Sequence, residues 1–307
     1  MLRSANIISG RYLEHGPPAN WDRLMSMLPL RVAMVRAHGK FIYFTLSNEE
    51  GVEVAYVWNT LGLSGGWSLH SHRHSRVEFM LEDENVAFSL YFYDQRNFGT
   101  VKISHERDQL DAKLNALGPT WLSPEKETPL MKSGTVTSDF SRKSGISLSF
   151  ASFLKIAQKQ QKTSPKRHLA VFLMDQGKTA GIGNYILSEI LYAVRLHPWA
   201  KVSDIDEDVW REIYHAAADI ISRSYLSQME TVWRKNEGVH GEDASQVLMS
   251  LYDDHAFRWD VYMQKKDPSG RPIERTTGPH KRAIHWVPDL QTRCPPDHEP
   301  TPVGHIQ

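Results

Sequence analysis

The feature that most constrains this chain is a change in its hydrophobic pattern near residue 120. Upstream, short runs of β-branched and aromatic residues alternate with turn-forming stretches, which is typical of antiparallel strands. The six runs, between residues 30 and 104, are RVAMVRA, KFIYFTL, VEVAYVW, RVEFML, VAFSLYFY and TVKIS. Strands at this spacing predict a β-sandwich or a barrel. An amphipathic helix is expected over residues 107–118, closed by Gly118.

Downstream, apolar residues recur at helical spacing instead. Helices are expected from about Ser149, over HLAVFLMDQ, over NYILSEILYAVR and over the acid-led segment SDIDEDVWREIYHAAADIISRSYL. From residue 257 the pattern predicts a β-hairpin in which RWDVYMQKK and RAIHWVPDL flank a turn at DPSGRP. The expected fold class is α+β, with an N-terminal antiparallel β-sandwich, a helical domain and a C-terminal hairpin.

Composition and charge narrow the possible functions. The only cysteine is Cys294, so a disulfide framework and a cysteine zinc site are both excluded. No apolar run approaches the ~18–20 residues that span a bilayer, so we expect no membrane partner and an intracellular setting. Residues 132–170 and 257–294 each hold eight Lys or Arg, with an acidic block between them. Such patches can form one cationic face, although ordinary solvated charge gives the same pattern.

One stretch points to a binding function, MDQGKTAGIGNYILSEILYAVRLHP, residues 174–198. Gly181 and Gly183 lack a Cβ and so permit close approach of another backbone. Asn184 is expected to cap the helix that follows, because asparagine is a favoured N-cap. A helix N-terminus binds phosphate readily. Considered alone, the stretch fits a phosphate site and a plain helix–turn–helix corner equally well.

Together with other segments in the same order, this stretch resembles the helix–two-turn–helix element of the formamidopyrimidine-DNA glycosylase/endonuclease VIII family. HGKFIYFTL (38–46) resembles the lysine-bearing strand of that family, and NTLGLSGGW (59–67) and DQRNFGT (94–100) resemble its two wedge loops. The resemblance runs from about residue 8 to residue 293. The C-terminal hairpin lacks the four cysteines of a zinc finger and resembles the zincless finger of the endonuclease VIII-like branch, with Arg282 at its tip.

The resemblance implies a domain organisation. It comprises a β-sandwich catalytic-type domain (1–120), a linker (121–147), a helix–two-turn–helix DNA-binding domain (148–256), the zincless finger (257–293) and a tail (294–307).

The resemblance also implies a function in base excision repair. The protein would be a DNA glycosylase/AP lyase, a monomer without cofactor or metal, that flips an oxidised base out of damaged double-stranded DNA. Lys40 and Arg282 are implied proton donors in β- and δ-elimination. Leu63, Arg96 and Phe98 would fill the hole that the flipped base leaves in the stack. Lys40, Asn184 and Arg282 would grip the phosphates near the lesion. The implied DNA contacts are Lys40, Leu63, Arg96, Phe98, Gly183, Asn184 and Arg282.

The N-terminal residues depart from the family. Its nucleophile is the α-amine of an N-terminal proline, followed by a glutamate that acts as acid and base. This sequence begins MLRSANIISGRYLEH, and IISGRY resembles the segment after the family's first helix. We therefore expect the nucleophile, the glutamate and that helix to be missing. The chain is then a truncated form of a working enzyme, a catalytically inactive damaged-DNA-binding protein, or an unrelated nucleic-acid binder. The ordered motifs favour the first.

Overall fold

The computed structural model describes residues 1–61, 65–84, 86–122, 145–235 and 257–296. The chain divides into two units, Met1–Leu117 and Gly118–Gln307. Antiparallel sheets form the first unit and helices dominate the second, so the α+β prediction is confirmed. No helix in the described ranges is long and apolar enough to cross a lipid bilayer.

Strands account for most of the first unit. They are β1 (Leu2–Ile7), β2 (Arg31–His38), β3 (Phe41–Ser47), β4 (Glu53–Thr60), β5 (Gly65–Ser68), β6 (Ser75–Asp83), β7 (Val86–Asp94) and β8 (Thr100–Ser104). The helices are α1 (Arg11–Glu14), α2 (Trp21–Met27) and α3 (Arg107–Asn115). All six predicted strands are present. The prediction missed β1 and β5, because β1 mixes polar with apolar residues and β5 begins with two glycines, which have poor strand propensity.

The strands form a sandwich. One sheet has the order β1-β6-β7-β5 and the other β2-β3-β4-β8. Both line one buried cluster, with Leu2 and Val77 from the first sheet and Phe44 and Val57 from the second. Side chains from two facing sheets that share a core define sandwich packing. Helix α3 has Ala116 as its C-cap, so the prediction that the helix extends to Gly118 is wrong.

Helices dominate the second unit. They are α4 (Phe150–Thr163), α5 (Leu169–Leu173), α6 (Asn184–Ala193) and α7 (Glu207–Lys235), with a 3₁₀ turn at Val202–Asp204. Helix α6 is buried over Ile186–Leu191, a stretch that is apolar except for Ser188 and Glu189. Trp121 belongs to this core and packs against Phe153 and Tyr214, with ring centroids 5.5 and 5.6 Å apart. The first residue of the predicted linker is therefore a core residue; residues 123–144 of that linker lie outside the described ranges.

The hairpin lies further along the chain than the pattern predicts. Its strands are β9 (Glu274–Thr277) and β10 (Ala283–Trp286), which pair antiparallel around residues 278–282. The prediction of a strand over RWDVYMQKK is wrong. Within that segment the structure shows a single isolated bridge, from Lys266 to Pro272, and the consecutive backbone N–H groups at 260–262 donate to the buried carboxylate of Glu189 instead of to a strand. The DPSGRP turn does form, closed by Asp267, which accepts from the N–H groups of Ser269 and Arg271.

Candidate nucleic-acid interface

The GIGN turn begins helix α6, and its capping differs from the prediction. Gly183 is the N-cap, with φ −118° and ψ 179°, and no side chain caps the helix. Asn184 is the first helical residue, so the prediction that it is the cap is wrong. Its side chain is used elsewhere: Nδ2 donates to the carbonyl of Ala283 at 2.7 Å, and Oδ1 lies 2.6 Å from Nε2 of His280. Asn184 therefore joins the start of the helix to the hairpin.

Gln176 organises the turn from within. Its Nε2 donates to the carbonyls of Met174 and Ile182, each at 2.9 Å, and its Oε1 accepts from the N–H of Gly181 at 2.9 Å. Gly181 has a φ of 129°, which side-chain-bearing residues rarely adopt. The glycine here is required by the backbone, and Gln176 fixes the conformation that the glycine permits. Gln176 was not identified from the sequence, because no feature of the neighbouring residues distinguishes it from an ordinary surface glutamine.

His280 docks the hairpin tip onto Asn184. Because Asn184 Nδ2 already donates to Ala283, its Oδ1 must accept, and His280 is the donor through Nε2–H. Burial, and secondarily the charge of Arg282, lower the pKa of His280 to about 4. The ring is therefore neutral at physiological pH. Gly278 lies beneath it, and a Cβ there would come within 2.7 Å of the ring.

Arg282 occupies the turn of the hairpin, as predicted. Its carbonyl accepts from the N–H of Gly278 at 2.8 Å, and its side chain is exposed. The contacts of Asn184 with His280 and Ala283 bracket it on both sides, so the start of α6 and the Arg282 turn form one local assembly. No cluster of His, Cys, Asp or Glu that could hold a metal ion occurs among the residues described.

A second contact anchors the finger to α6. Glu189 is almost fully buried, and its carboxylate accepts from the backbone N–H groups of Asp260, Val261 and Tyr262 at 2.8 to 3.1 Å. Burial raises the pKa of this carboxyl, although the three donors act in the opposite direction. Glu189 was not identified from the sequence. A signal was available, a single acid within the otherwise apolar face of NYILSEILYA, since an isolated buried charge requires partners.

In the first unit, the loop after β7 projects an aromatic side chain. Phe98 is 70% exposed, so core packing does not explain it, and Arg96 is exposed as well. The carboxylate of Asp94 is fully buried beneath the loop and accepts from the N–H groups of Arg96 at 3.2 Å and Gly99 at 2.5 Å. A Cβ at Gly99 would lie 2.8 Å from the ring of Phe92. Asp94 and Gly99 were not identified from the sequence.

The two remaining predicted DNA-contact residues are Lys40 and Leu63. Lys40 is exposed in the tight turn that joins β2 to β3, next to Gly39 with a φ of 59°. Leu63 lies outside the described residues. Lys40, Arg96 and Phe98 thus belong to the first unit, whereas Gly183, Asn184 and Arg282 belong to the second.

A β-sandwich unit followed by a helical unit with a buried glycine turn and a docked hairpin defines a helix–two-turn–helix protein. The family model of the formamidopyrimidine-DNA glycosylase H2TH domain matches residues 148–234. The formamidopyrimidine-DNA glycosylase of Thermus thermophilus is 27% identical over 294 residues, which cover 93% of this chain and 91% of that protein. That of Listeria innocua is 25% identical over 269 residues, covering 85% and 81%.

Solved structures agree in fold. The crystal structure of MutM (Fpg) from Thermus thermophilus has a TM-score of 0.59 and 24% identity, covering 96% of this chain and 92% of that one. The Lactococcus lactis formamidopyrimidine-DNA glycosylase, non-covalently bound to DNA containing an AP site, has a TM-score of 0.61 and 16% identity, covering 95% and 92%. Residues 148–234 therefore contain the H2TH domain of formamidopyrimidine-DNA glycosylases, and the chain is similar to these glycosylases over most of its length, in agreement with the resemblance of its motifs.

Proposed function

We propose that this protein binds damaged duplex DNA and acts as a bifunctional DNA glycosylase and AP lyase on oxidised bases. The observation that carries the proposal is the joint at Asn184, which holds the start of α6 against the turn that bears Arg282. Relatives support the substrate class, since the Lactococcus lactis enzyme has been solved with DNA containing an AP site and with DNA containing FAPY-dG.

The joint has the properties of a phosphate grip. The N-terminus of α6 carries the positive end of the helix dipole, and its N-cap is a glycine with no capping side chain. Arg282 adds a permanent positive charge with several donors beside it. The side-chain amide of Asn184 donates to Ala283 and its oxygen accepts from His280. We therefore assign Asn184 chiefly to holding the start of α6 and the hairpin in register.

The loop after β7 supplies the groups that would enter the base stack. An exposed phenylalanine on a loop whose backbone is fixed by a buried carboxylate can replace a flipped base without reorganising. Arg96 extends from the same loop and would contact the orphaned base, and Leu63 is assigned the same hole-filling role. Flipping is needed because the glycosidic carbon of a stacked base is inaccessible.

Two residues are assigned to elimination chemistry. Lys40, exposed in its turn, would bind a phosphate near the lesion and donate the proton in β-elimination. Arg282 would donate likewise in δ-elimination. The cysteine-free hairpin favours the endonuclease VIII-like branch, and with it oxidised pyrimidines and ring-opened purines as substrates. The proposed unit of action is a monomer without cofactor.

A second candidate function is damage recognition without catalysis. It concerns the polypeptide of residues 1–307 itself, in which the ammonium group of Met1 donates to the carbonyl of Glu82 at 2.6 Å, at the start of β1. An amine held at the end of a sheet strand in this way is poorly placed to attack a sugar. In that case the protein would still grip DNA phosphates and insert the loop after β7 into the base stack, but it would not remove the damaged base.

Borohydride trapping on an abasic-site duplex distinguishes the two functions. We expect the polypeptide of residues 1–307 to give no trapped adduct, since the Met1 amine is engaged at the end of a strand. Extension by an N-terminal segment that starts with proline and glutamate should restore trapping if the protein is a glycosylase/lyase. Efficient trapping by residues 1–307 that disappears in Lys40→Ala would show instead that lysine is the nucleophile, and would contradict the assignment of Lys40 as an acid.

A further inference from the structure

The connection between β1 and α2 contains a segment, Ser9–Tyr12, that contacts the loop carrying Phe98 directly through Arg11 and Tyr12 and indirectly through Ser9, which bonds Arg76. We propose, on the basis of the proposed function, that this segment supports that loop and that Arg11 is a positioning residue. It would fix the backbone from which Arg96 and Phe98 enter the DNA. IISGRY would then have a role in the loop that the motif comparison alone does not assign to it.

The first contact supporting this is between Arg11 and Asn97. Arg11 donates from Nη2 to the carbonyl of Asn97 at 2.6 Å. Asn97 lies between Arg96 and Phe98 and has a left-handed φ of 57°. Asparagine enters this region more readily than most residues other than glycine, and the hydrogen bond from Arg11 stabilises it there. The carbonyl bound by Arg11 belongs to this residue, so the hydrogen bond acts at the point where the loop reverses.

The ends of the loop are held by the same segment. The hydroxyl of Tyr12 accepts from the N–H of Val101 at 2.6 Å and donates to its carbonyl at 3.1 Å. Arg76 donates to the carbonyl of Asp94 through Nε and Nη2, at 3.0 and 2.8 Å. Its Nη1 reaches Ser9 Oγ at 2.8 Å. Ser9 thus supports Arg76 at one end of the loop, and Tyr12 closes the other.

Close packing explains the glycine within the segment. Gly10 has a φ of 74°, and a Cβ there would lie 2.9 Å from Oδ1 of Asn97 and 3.0 Å from Cδ of Arg76. Arg11 and Asn97 also line an open cavity of about 340 Å³, together with Tyr12, His15 and Gly16. The outer part of the loop therefore rests on hydrogen bonds to this segment.

The consequence concerns preorganisation. Phe98 is exposed, so its direction before DNA arrives is set by the backbone that Arg11 and Asp94 hold. Without the Arg11 donor the carbonyl of Asn97 loses its partner, and this part of the loop must be ordered during binding, which weakens the step in which Phe98 inserts. One hydrogen bond to a charged donor corresponds to roughly a tenfold change in that step. Binding to intact duplex, where nothing inserts, should change little.

The test uses the full chain and two duplexes, one with a tetrahydrofuran abasic analogue and one intact. We expect Arg11→Met to lower the ratio of the two affinities about three- to tenfold, and Arg11→Lys to recover part of the loss. Arg23→Met, which removes an exposed arginine from α2, is the control for lost charge. Fluorescence of 2-aminopurine opposite the analogue should fall in parallel, because it reports the insertion step.

A double-mutant cycle separates positioning from direct contact. In a Phe98→Ala background, Arg11→Met should change the affinity ratio by no more than about twofold. Equal loss of affinity for both duplexes in Arg11→Met would show that Arg11 binds phosphate directly and would overturn the inference. A normal ratio in Arg11→Met, with a reduced ratio in Phe98→Ala, would overturn it while leaving the proposed function intact. If Phe98→Ala itself leaves the ratio unchanged, the wedge role fails and the inference fails with it.

Discussion

Replacement of Glu189 by alanine is expected to lower the stability of the second unit by about 3 kcal/mol or more. The carboxylate is almost fully buried and accepts from three consecutive backbone N–H groups at residues 260–262. Alanine leaves those donors without a partner, and each unsatisfied buried group costs about 1–3 kcal/mol. Few single substitutions in this unit should cost more.

Hydrogen exchange of the amides at residues 260–262 is the sharpest measurement of this effect, because it reports the local opening free energy even when the two units unfold separately. The matched control is Glu207→Ala, an exposed glutamate in the first turn of α7 that pairs with Arg211. It should cost no more than about 1 kcal/mol. Unchanged protection of these amides in Glu189→Ala would contradict the anchoring role.

Acidification should weaken the hairpin joint through His280. Its folded-state pKa is about 4, below the ordinary value of 6.5, so the unfolded chain takes up a proton at a pH where the folded chain does not. The stability from the neutral ring is therefore complete above about pH 6.5 and is lost as the pH falls toward 4. A difference of this size corresponds to about 3 kcal/mol.

His280→Gln isolates this contribution, because glutamine retains an amide donor for Asn184 and does not titrate. We expect the stability of the wild type relative to His280→Gln to fall by about 2–3 kcal/mol between pH 7 and pH 4.5. The pKa values of His285 and His197 are also lowered by burial, but these residues are present in both proteins and their effects cancel. An NMR titration that placed the pKa of His280 near 6.5 would contradict the buried, neutral ring.

Much of the architecture was predictable because it depends on local periodicity. Runs such as KFIYFTL and VEVAYVW are rich enough in β-branched and aromatic residues to identify β3 and β4. Strand β5 has the sequence GGWS, and its two glycines have too low a strand propensity for the strand to be predicted. The helices around the GIGN turn follow from apolar spacing and from Ser149, whose side chain caps α4 as its residue type suggests.

Two of the errors, at Asn184 and at the VYMQ segment, share one physical cause, a hydrogen-bond partner distant in sequence. Asparagine favours the N-cap, yet Asn184 gives its side chain to Ala283 and His280, almost a hundred residues away. The VYMQ segment has strand propensity, but its backbone donors at 261 and 262 bind Glu189, more than seventy residues earlier. Local propensity does not register such partners. Arg11 was not identified for the same reason, because its partner Asn97 lies 86 residues further along the chain.

The central claim is that the joint between α6 and the hairpin grips damaged DNA, and one binding measurement tests it most directly. Fluorescence anisotropy at a fixed salt concentration would compare an abasic-analogue duplex with the intact duplex, because electrostatic affinity depends strongly on salt. We expect the wild type to prefer the abasic duplex by about tenfold or more, and Arg282→Ala to lose most of that preference. Arg275→Ala, an exposed arginine on β9 of the same hairpin, should retain it. Equal affinity for both duplexes, unchanged by Arg282→Ala, would contradict the account.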